Sequence, residues 1–514
     1  MNTQNTTSPL HHIAAVRLPV VLLFCLLIAQ AASAAAEGSH AGIAEYTGAE
    51  TCLACHQEEG EGFVTSIHNT WMGEATHVVG KEGNMTGKVV GVNEFCVGTK
   101  SNEALCGTCH AGYGICCNCT CDCAAKEMDC PIEKIDCLIC HAPNYKKTLT
   151  GPAPSIDATA AARGVGLPTR EMCLRCHATA GGGDNNKRGD IELAMGADEV
   201  SRDLDVHMSA GMTCQDCHVF IDHHVSGRGM DLRVDDTDFL VTCDDKSCHG
   251  SEPHYGGSMY NQHTDRIYCT ACHVTSYGKV QTVEMSRDWE YRPPNDKNAL
   301  HVTMYTPYMV RESNPAPIHV WWNRWSEILD ITDPAVPDSD GFVMMAKPVG
   351  GIDNPASKIY AARLHLGRQP WDGTYLLPFK TMTVLMSDNM THALFESTGK
   401  IYDPIQYVNA KRYMGLFHGI SPKDEALTCK DCHEDHVIDF EALGYDVEKD
   451  ASGNLISATK PGESLNLADF NAKAATGTGA REGSDESAAS TPGFGIVPAL
   501  GGLMAVAYLL RKRN

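Results

Sequence analysis

The stretch EFCVGTKSNEALCGTCHAGYGICCNCTCDCAAKEMDCPIEKIDCLICHAPNYKK, residues 94–147, decides how this chain folds. It holds two copies of the motif Cys-x-x-Cys-His, at residues 106–110 and 137–141. Two cysteines followed at once by a histidine are the attachment signature of c-type haem. The thiols bond the porphyrin, and the histidine is placed to bind the iron from one side. This stretch is therefore predicted to carry covalent haem.

The motif recurs along the whole chain, seven times in standard form and once with four residues between the cysteines. The predicted attachment thiols are Cys52, Cys55, Cys106, Cys109, Cys137, Cys140, Cys173, Cys176, Cys214, Cys217, Cys243, Cys248, Cys269, Cys272, Cys429 and Cys432. The adjacent histidines, predicted to ligate iron, are His56, His110, His141, His177, His218, His249, His273 and His433. Paired Cys-x-x-Cys units also build zinc sites, but zinc does not need a histidine after every second cysteine. We therefore expect eight haem c groups.

Length and composition limit the architecture. The 514 residues carry a formal net charge of −23, which argues against nucleic acid as a partner because phosphate binding needs a basic face. Seven motifs within residues 37–280 predict a mainly α fold with extensive irregular loops, a multihaem cytochrome c built around its haem array. Residues 281–415 lack cysteine and are predicted to form a haem-free packing lobe. Residues 416–448 bring the last haem.

Both ends of the chain resemble targeting segments. Residues 1–36 have the basic, apolar and small-residue order of a secretory signal. Residues 449–490 read as a flexible tether rich in Ala, Gly, Ser and charge. Residues 491–514, with Pro-Gly-Phe, an apolar run and a basic end, resemble the archaeal C-terminal sorting signal, and a plain anchor helix is the alternative. We expect an exported protein tethered at the outer face of the cytoplasmic membrane.

Electron-transfer haems need a second axial ligand, which is usually histidine in multihaem proteins. The predicted second ligands are His68, His207, His224, His254, His263, His365 and His418, with His223, His301, His319 and His392 as substitutes. Seven histidines for eight irons leave one haem with another ligand.

Several strings resemble the octahaem tetrathionate reductase family, within the wider hydroxylamine-oxidoreductase-like multihaem cytochromes. They include FCVGTKSNEALCGTCHAGYG, DCLICHAPNYKK, CHATAGGGDNNKRGD and FHGISPKDEALTCKDCH, and the resemblance covers most of residues 50–440. It implies that a lysine after the third motif, Lys146 or Lys147, ligates the iron of the second haem together with His110. An amine binds iron only after losing its proton, so that lysine must be buried.

The cysteine cluster of residues 116–130 departs from the family pattern. It comprises Cys116, Cys117, Cys119, Cys121, Cys123 and Cys130. Disulfides, an extra metal or iron–sulfur centre, and reactive thiols are the three interpretations. Cys96 is separate and is a candidate residue of the reactive haem pocket.

Three functions compete at this point. The resemblance implies multi-electron reduction of tetrathionate, with nitrite or hydroxylamine as further substrates, fed by a redox protein or membrane electron donor. A non-catalytic electron conduit is the second hypothesis, and hydroxylamine oxidation is the third. A homo-oligomeric assembly is left open by the sequence.

Overall fold

The computed structural model describes residues 40–96, 98–99, 101–113, 131–255, 258–297 and 303–461. They belong to one compact unit that runs to Leu465. The predicted signal (1–36), the cysteine cluster (116–130), most of the tether beyond residue 461, the sorting segment and His301 lie outside the described residues.

Short helices and turns carry the Cys-x-x-Cys-His motifs. The helices are α1 (Ala49–Leu53), α2 (Gln57–Thr65), α3 (Ile67–Thr70), α4 (Glu103–Cys106), α5 (Leu138–His141), α6 (Ala158–Arg163), α7 (Arg170–His177), α8 (Val206–Ser209), α9 (Met259–His263), α10 (Cys269–His273), α11 (Thr381–Ser387), α12 (Met390–Thr398) and α13 (Cys429–His433). Short 3₁₀ turns span Ile132–Lys134, Leu193–Gly196 and Cys214–Asp216. In helical backbone, positions i and i+3 lie on one face, so the two thiols of a motif point the same way. The motif spacing thus suits a single bifunctional attachment.

Strands dominate the second half of the described chain. They are β1 (Met72–Glu74), β2 (Met85–Gly87), β3 (Phe220–Ile221), β4 (His224–Val225), β5 (Val283–Asp288), β6 (Pro294–Lys297), β7 (Thr303–Tyr305), β8 (Tyr308–Glu312), β9 (Ile318–Trp322), β10 (Trp325–Ile328), β11 (Phe342–Val349), β12 (Lys358–Trp371), β13 (Gln406–Gly415), β14 (Asp446–Lys449) and β15 (Leu455–Thr459). The predicted mainly α fold is therefore corrected: the multihaem segment has short helices, but the predicted packing lobe is a β-sheet lobe.

The lobe is a seven-stranded mixed sheet in the order β10-β11-β13-β12-β5-β8, with β9 paired to β12. β12 and β13 run antiparallel over ten residue pairs, and β11 pairs with β13 in parallel. On one side, α11 and α12 cover a core that contains Trp289, Phe379 and Leu394. The Trp289 and Phe379 rings meet edge to face, with centroids 4.8 Å apart. Burying these large apolar side chains gives the lobe its own hydrophobic stabilisation.

Asn102 fastens the second haem motif to this lobe. Its side-chain amide donates to the carbonyls of Gly98 and Phe379, each at 3.0 Å, and its Oδ1 accepts from the Thr381 amide at 2.9 Å. Asn102 immediately precedes α4, which carries the first cysteine of the motif. The sheet lobe therefore fixes the position of that motif.

A hairpin closes the described chain beside the last motif. β14 and β15 pair antiparallel, and the carbonyl of Leu455 lies 3.2 Å from His433 Nδ1. His436 Nε2 lies 2.9 Å from the carbonyl of Gly453 in the same hairpin. The described residues contain no helix long and apolar enough to cross a membrane.

Replacing Asn102 by alanine leaves the buried Phe379 carbonyl and Thr381 amide without this partner. Unmet buried polar groups cost roughly 1–3 kcal/mol each, so we expect a loss of about 2–4 kcal/mol in the free energy of unfolding. Calorimetry of the haem-loaded protein measures it. Asn84, which is exposed, provides the control, and Asn84→Ala should change stability by less than about 0.5 kcal/mol. Equal effects of both variants would contradict this role.

Candidate functional site

Lys147 is the buried member of the lysine pair. Its side chain has 0% exposure, whereas Lys146 is exposed. Lys147 lies in extended backbone that bridges to Pro152, where successive side chains point to opposite sides. Tyr145 and Lys147 therefore point inward and Lys146 outward.

The Lys147 amine is directed at the second haem motif. It donates to the backbone carbonyls of His110 and Gly112 and lies 3.9 Å from Asp136 Oδ2. Burial lowers the pKa of Lys147, and the nearby Asp136 only partly opposes this. Burial likewise raises the pKa of Asp136 to about 6. The amine is thus held where losing its proton is easier than in water.

Tyrosines hold Asp136 in place. Tyr145 donates its hydroxyl hydrogen to Asp136 Oδ2 at 3.2 Å. The Tyr113 hydroxyl lies 3.5 Å from that of Tyr145, and the Tyr46 hydroxyl lies 3.4 Å from that of Tyr113. This line of three phenols positions the carboxylate that faces Lys147.

His110 differs from other motif histidines in the use of its ring. Its Nε2 lies 2.7 Å from the carbonyl of Asn69, and the Gly112 amide donates to its Nδ1 at 3.2 Å. Nδ1 is then an acceptor and Nε2 carries the hydrogen, which it donates to Asn69. The Trp71 ring packs edge-on at 4.7 Å. His110 Nε2, the nitrogen that would bind an iron, is therefore already hydrogen-bonded to the backbone.

In three other motifs the ring is oriented the opposite way. The Nδ1 atoms of His141, His218 and His433 lie 2.8–3.2 Å from the carbonyls of Gly166, Ser226 and Leu455. A histidine whose Nδ1–H donates to a backbone carbonyl presents Nε2 as a lone pair, the usual arrangement of a metal ligand.

Motif histidines face second histidines across a repeated gap. Ring centroids are 6.0–6.4 Å apart in the pairs His56–His40, His141–His223, His177–His68, His218–His418, His249–His207 and His273–His254. Burial and then the charge of His433 lower the pKa of His263, so these two histidines are also neighbours. With metal–nitrogen bonds of about 2.0–2.1 Å, rings on opposite faces of one iron have centroids roughly 6 Å apart. The residues present therefore fit haem iron.

Five of the seven predicted second ligands lie beside a motif histidine: His68, His207, His254, His263 and His418. The other two do not. His224 lies 2.9 Å from Asp236 and 3.1 Å from Thr65, and its neighbour His223 faces His141 instead. His365 is buried between Glu94 and Glu284.

Two further substitutes, and His40 from outside the predicted set, lie in the described residues. His319 Nε2 lies 3.2 Å from the carbonyl of Ala271, and His392 is exposed. His40, which faces His56, is absent from the sequence-based set, although it stands only twelve residues before Cys52. Its closeness in sequence to a motif is the signal that could have identified it.

Thiols of different motifs are neighbours. Cys52 lies within hydrogen-bonding reach of Cys137, Cys109 of Cys176, Cys173 of Cys214, and Cys243 of Cys269. Electrostatic contacts also link Cys140 to Cys173, Cys217 to Cys248, and Cys272 to Cys432. The seven other motifs thus form one continuous series, and the second motif branches from that series at the fourth motif.

In the described residues, no three or more His, Cys, Asp or Glu side chains converge to hold a metal ion.

One basic side chain, Lys88, lies beside the second motif of this acidic protein, and its charge also acts on Lys187. Lys88 Nζ lies 4.2 Å from the Trp71 ring centroid, and its charge acts on both Cys106 and Cys109. Burial first, and then the charge of Arg412, lower the pKa of Lys187 to about 7. Among the described residues, the Lys187 amine has no hydrogen bond or ion pair. A local excess of positive charge attracts small anions.

Cys96 lies close to the same motif. Burial raises the pKa of Cys106 to about 12, and the charge of the neighbouring Cys96 contributes to that shift. The amide and thiol of Cys96 face Asn93 Oδ1, at 3.1 and 3.6 Å. The structure thus brings Lys147 to the backbone of His110 and Cys96 to the first thiol of the same motif, and it leaves Lys146 exposed.

Comparisons with known proteins agree with this architecture. A family model described as bacterial cytochrome c matches residues 292–436, and the PGF-CTERM motif matches residues 491–513. An uncharacterized protein of Archaeoglobus fulgidus is 27% identical over 241 residues, which cover 37% of this chain and 79% of that protein. The octahaem cytochrome c from Shewanella oneidensis is 27% identical with a TM-score of 0.68, covering 80% of this chain and 97% of its own.

The fold, the paired histidines and the C-terminal motif support one coarse conclusion. The chain is a multihaem c-type cytochrome, similar to octahaem cytochrome c, that is exported and attached to the cell surface through its C-terminus.

Proposed function

We propose that this protein is an extracytoplasmic octahaem reductase in which Lys147, and not His110, ligates the reactive iron. The contrast between His110 and the other motif histidines carries this proposal. Where His141, His218 and His433 present Nε2 outward, His110 gives that nitrogen to Asn69. The buried Lys147 amine is the group held nearest to the same motif backbone.

The remaining irons are assigned to histidine pairs. Each motif histidine other than His110 has its second histidine: His40, His223, His68, His418, His207, His254 and His263 for motifs one, three, four, five, six, seven and eight. In this assignment His40 and His223 take the places of His224 and His365 among the predicted second ligands. The assignment leaves one face at the second motif without a second histidine, so a small substrate can approach there.

Bound haem c supplies reversible one-electron exchange at its iron. The chain's own residues supply the rest. Asp136 and its tyrosines hold Lys147, Asn102 fixes the motif against the sheet lobe, and Lys88 and Lys187 attract an anion. The substrate class we infer is a small inorganic oxyanion: tetrathionate, as the resemblance implies, or nitrite and hydroxylamine as further substrates.

The continuous series of neighbouring thiols favours a second candidate, a non-catalytic conduit. A wire of seven motifs could pass electrons between a membrane partner and an external acceptor without any reaction at the second motif. It predicts that every iron has two protein ligands and that no iron binds an added anion.

Spectroscopy of lysine variants decides between the two candidates. In Lys147→Met, the amine is lost, so the electron paramagnetic resonance signal of one iron should change and anion reduction should fall more than about 100-fold. Lys146→Met is the matched control, because its side chain is exposed, and it should match the wild type. Two unchanged variants, with all irons indifferent to nitrite, would leave the conduit as the function.

Substitution of His110 tests the ligand exchange independently. His110→Ala should retain eight haems and the same number of low-spin signals, because this ring does not face an iron. His141→Ala should lose or convert one low-spin signal. Loss of the Lys147-dependent signal in His110→Ala, at full haem content, would restore His110 as a ligand.

The basic residues predict a pH dependence of substrate binding. With a pKa of about 7, Lys187 is charged below that pH and becomes neutral as the pH rises through it. The KM for an anionic substrate should therefore rise between pH 6 and about 8. Lys187→Met should raise KM at pH 6 roughly tenfold and flatten the profile. The exposed Lys400→Met is the control, and an unchanged profile in Lys187→Met would contradict this role.

A further inference from the structure

Four tripeptides of this chain have the form Asn-x-Ser/Thr, with a residue other than proline in the middle, which is the acceptor sequence for N-linked sugars. They begin at Asn5, Asn84, Asn118 and Asn389. Asn5 falls in the predicted signal, and Asn118 lies outside the described residues. The modification is a feature of exported proteins, and this protein is exported and attached to the cell surface. Because so short a sequence also arises by chance, the folded surroundings must decide which tripeptide is used.

Asn84 and Asn389 begin the same tripeptide, Asn-Met-Thr, and both asparagine side chains are exposed. The sugar is attached to the asparagine, but the acceptor rule also requires a hydroxyl two residues later. A transferase must therefore reach that hydroxyl as well as the asparagine amide. Because the two tripeptides are identical in sequence, any difference between them as acceptors comes from the fold.

The tripeptide at Asn389 presents both required groups to solvent. Asn389 is the N-cap of α12, and its Oδ1 accepts a hydrogen bond from the His392 amide at 2.9 Å. Within the described residues, the Asn389 Nδ2 has no hydrogen-bond partner. Thr391 is exposed, and its hydroxyl makes no hydrogen bond in that same part of the chain. The cap therefore uses the amide oxygen and leaves accessible the nitrogen that would carry a sugar.

The tripeptide at Asn84 has its hydroxyl inside the folded protein. Thr86 lies in β2, which pairs with β1, and its side chain is 0% exposed. Thr86 Oγ1 donates to Asp330 Oδ2 at 2.7 Å. The same carboxylate accepts from Lys81 at 2.6 Å and from Arg233 at 3.1 Å, so the hydroxyl belongs to a buried polar network. Although Asn84 is exposed, its tripeptide is therefore incomplete as an acceptor once the chain has folded.

We propose that Asn389 carries an N-linked oligosaccharide and that Asn84 does not, because the sugar is transferred to the folded chain. The burial of Thr86 and the exposure of Thr391 make this distinction between two identical tripeptides. The modification is independent of the reaction at the second motif, so it holds for a reductase and for an electron conduit alike.

The transfer is a substitution at the anomeric carbon of the sugar and involves no change in oxidation state. The donor is an oligosaccharide joined through that carbon to a lipid phosphate, and a separate transferase catalyses the step. Asn389 Nδ2 forms the new bond to the carbon and loses one hydrogen as a proton. The carbon–oxygen bond to the phosphate breaks, and the lipid phosphate leaves with the bonding electrons. Asn389 Oδ1 is unchanged, so it can still cap α12 after the modification.

Peptide mass spectrometry of the haem-loaded protein, isolated from the cells that make it, tests both parts of the proposal. Trypsin separates the two sites, because residues 381–400 and 82–88 form peptides that each contain a single asparagine. We expect a mass increase of whole sugar residues on the first peptide, located by fragmentation at Asn389, and an unmodified second peptide. The exposed Asn295, which has no hydroxyl residue two positions later, provides the unmodified control.

Variants at Thr391 test the acceptor without disturbing the cap. In Thr391→Val the modified fraction of Asn389 should fall at least about tenfold, whereas Thr391→Ser, which keeps a hydroxyl, should remain modified. If Thr391→Val cannot be isolated, Thr391→Ala makes the same test. An unmodified Asn389 in the wild type, or sugar on a serine or threonine of that peptide instead, overturns the proposal. Sugar on Asn84 at a similar occupancy overturns selection by the folded chain.

Discussion

A gap of about 6 Å between two imidazole rings is the constraint on which this architecture depends. It recurs at six of the motifs, and the paired histidines are separated along the chain by as few as 16 residues, in His40 and His56, and by as many as 200, in His218 and His418. Short helices and loops are suited to this task, because each needs only to present one ring from each side. Regular secondary structure is then free to form where no motif has to be accommodated. The seven-stranded sheet lies in that part of the chain.

Among the described residues, the second motif does not have such a pair of facing histidines. What distinguishes it is the buried Lys147 amine beside it, not its own sequence. Its Cys-x-x-Cys-His string is like the others, but Asn69 and Gly112 bind both nitrogens of the histidine. Burying Lys147 beside a single carboxylate, itself driven toward protonation, is unfavourable for a charged amine. We infer that this unfavourable burial of Lys147 is kept because the neutral amine serves the function of the site.

The motifs can be recognised from sequence because covalent attachment requires fixed spacing. Five of the seven histidines predicted as second ligands lie beside a motif histidine in the structure, and their role as ligands stays a prediction. The neighbours His223 and His224 cannot be separated by sequence, and only the folded chain shows that the His223 ring faces His141 while the His224 ring lies beside Asp236. The sheet was missed because its central strand hides polar residues, so RLHLGRQ does not read as a half-buried strand. In an extended segment, Tyr145 and Lys147 lie on one side and Lys146 on the other. An extended conformation for this segment would therefore have predicted Lys147 as the buried lysine. The orientation of His110 depends on Asn69, which no local pattern links to it.

The terminal hairpin has a mechanical consequence. β15 holds His433 through the Leu455 carbonyl, and the chain continues from this hairpin toward the segment that attaches it to the cell surface. Any tension on that attachment therefore enters the folded protein through this hairpin, which meets the last motif at His433 and the sheet lobe at Asp353, where Lys460 pairs at 2.9 Å. The hairpin strands meet in antiparallel register, so a pull on the chain end loads their hydrogen bonds first.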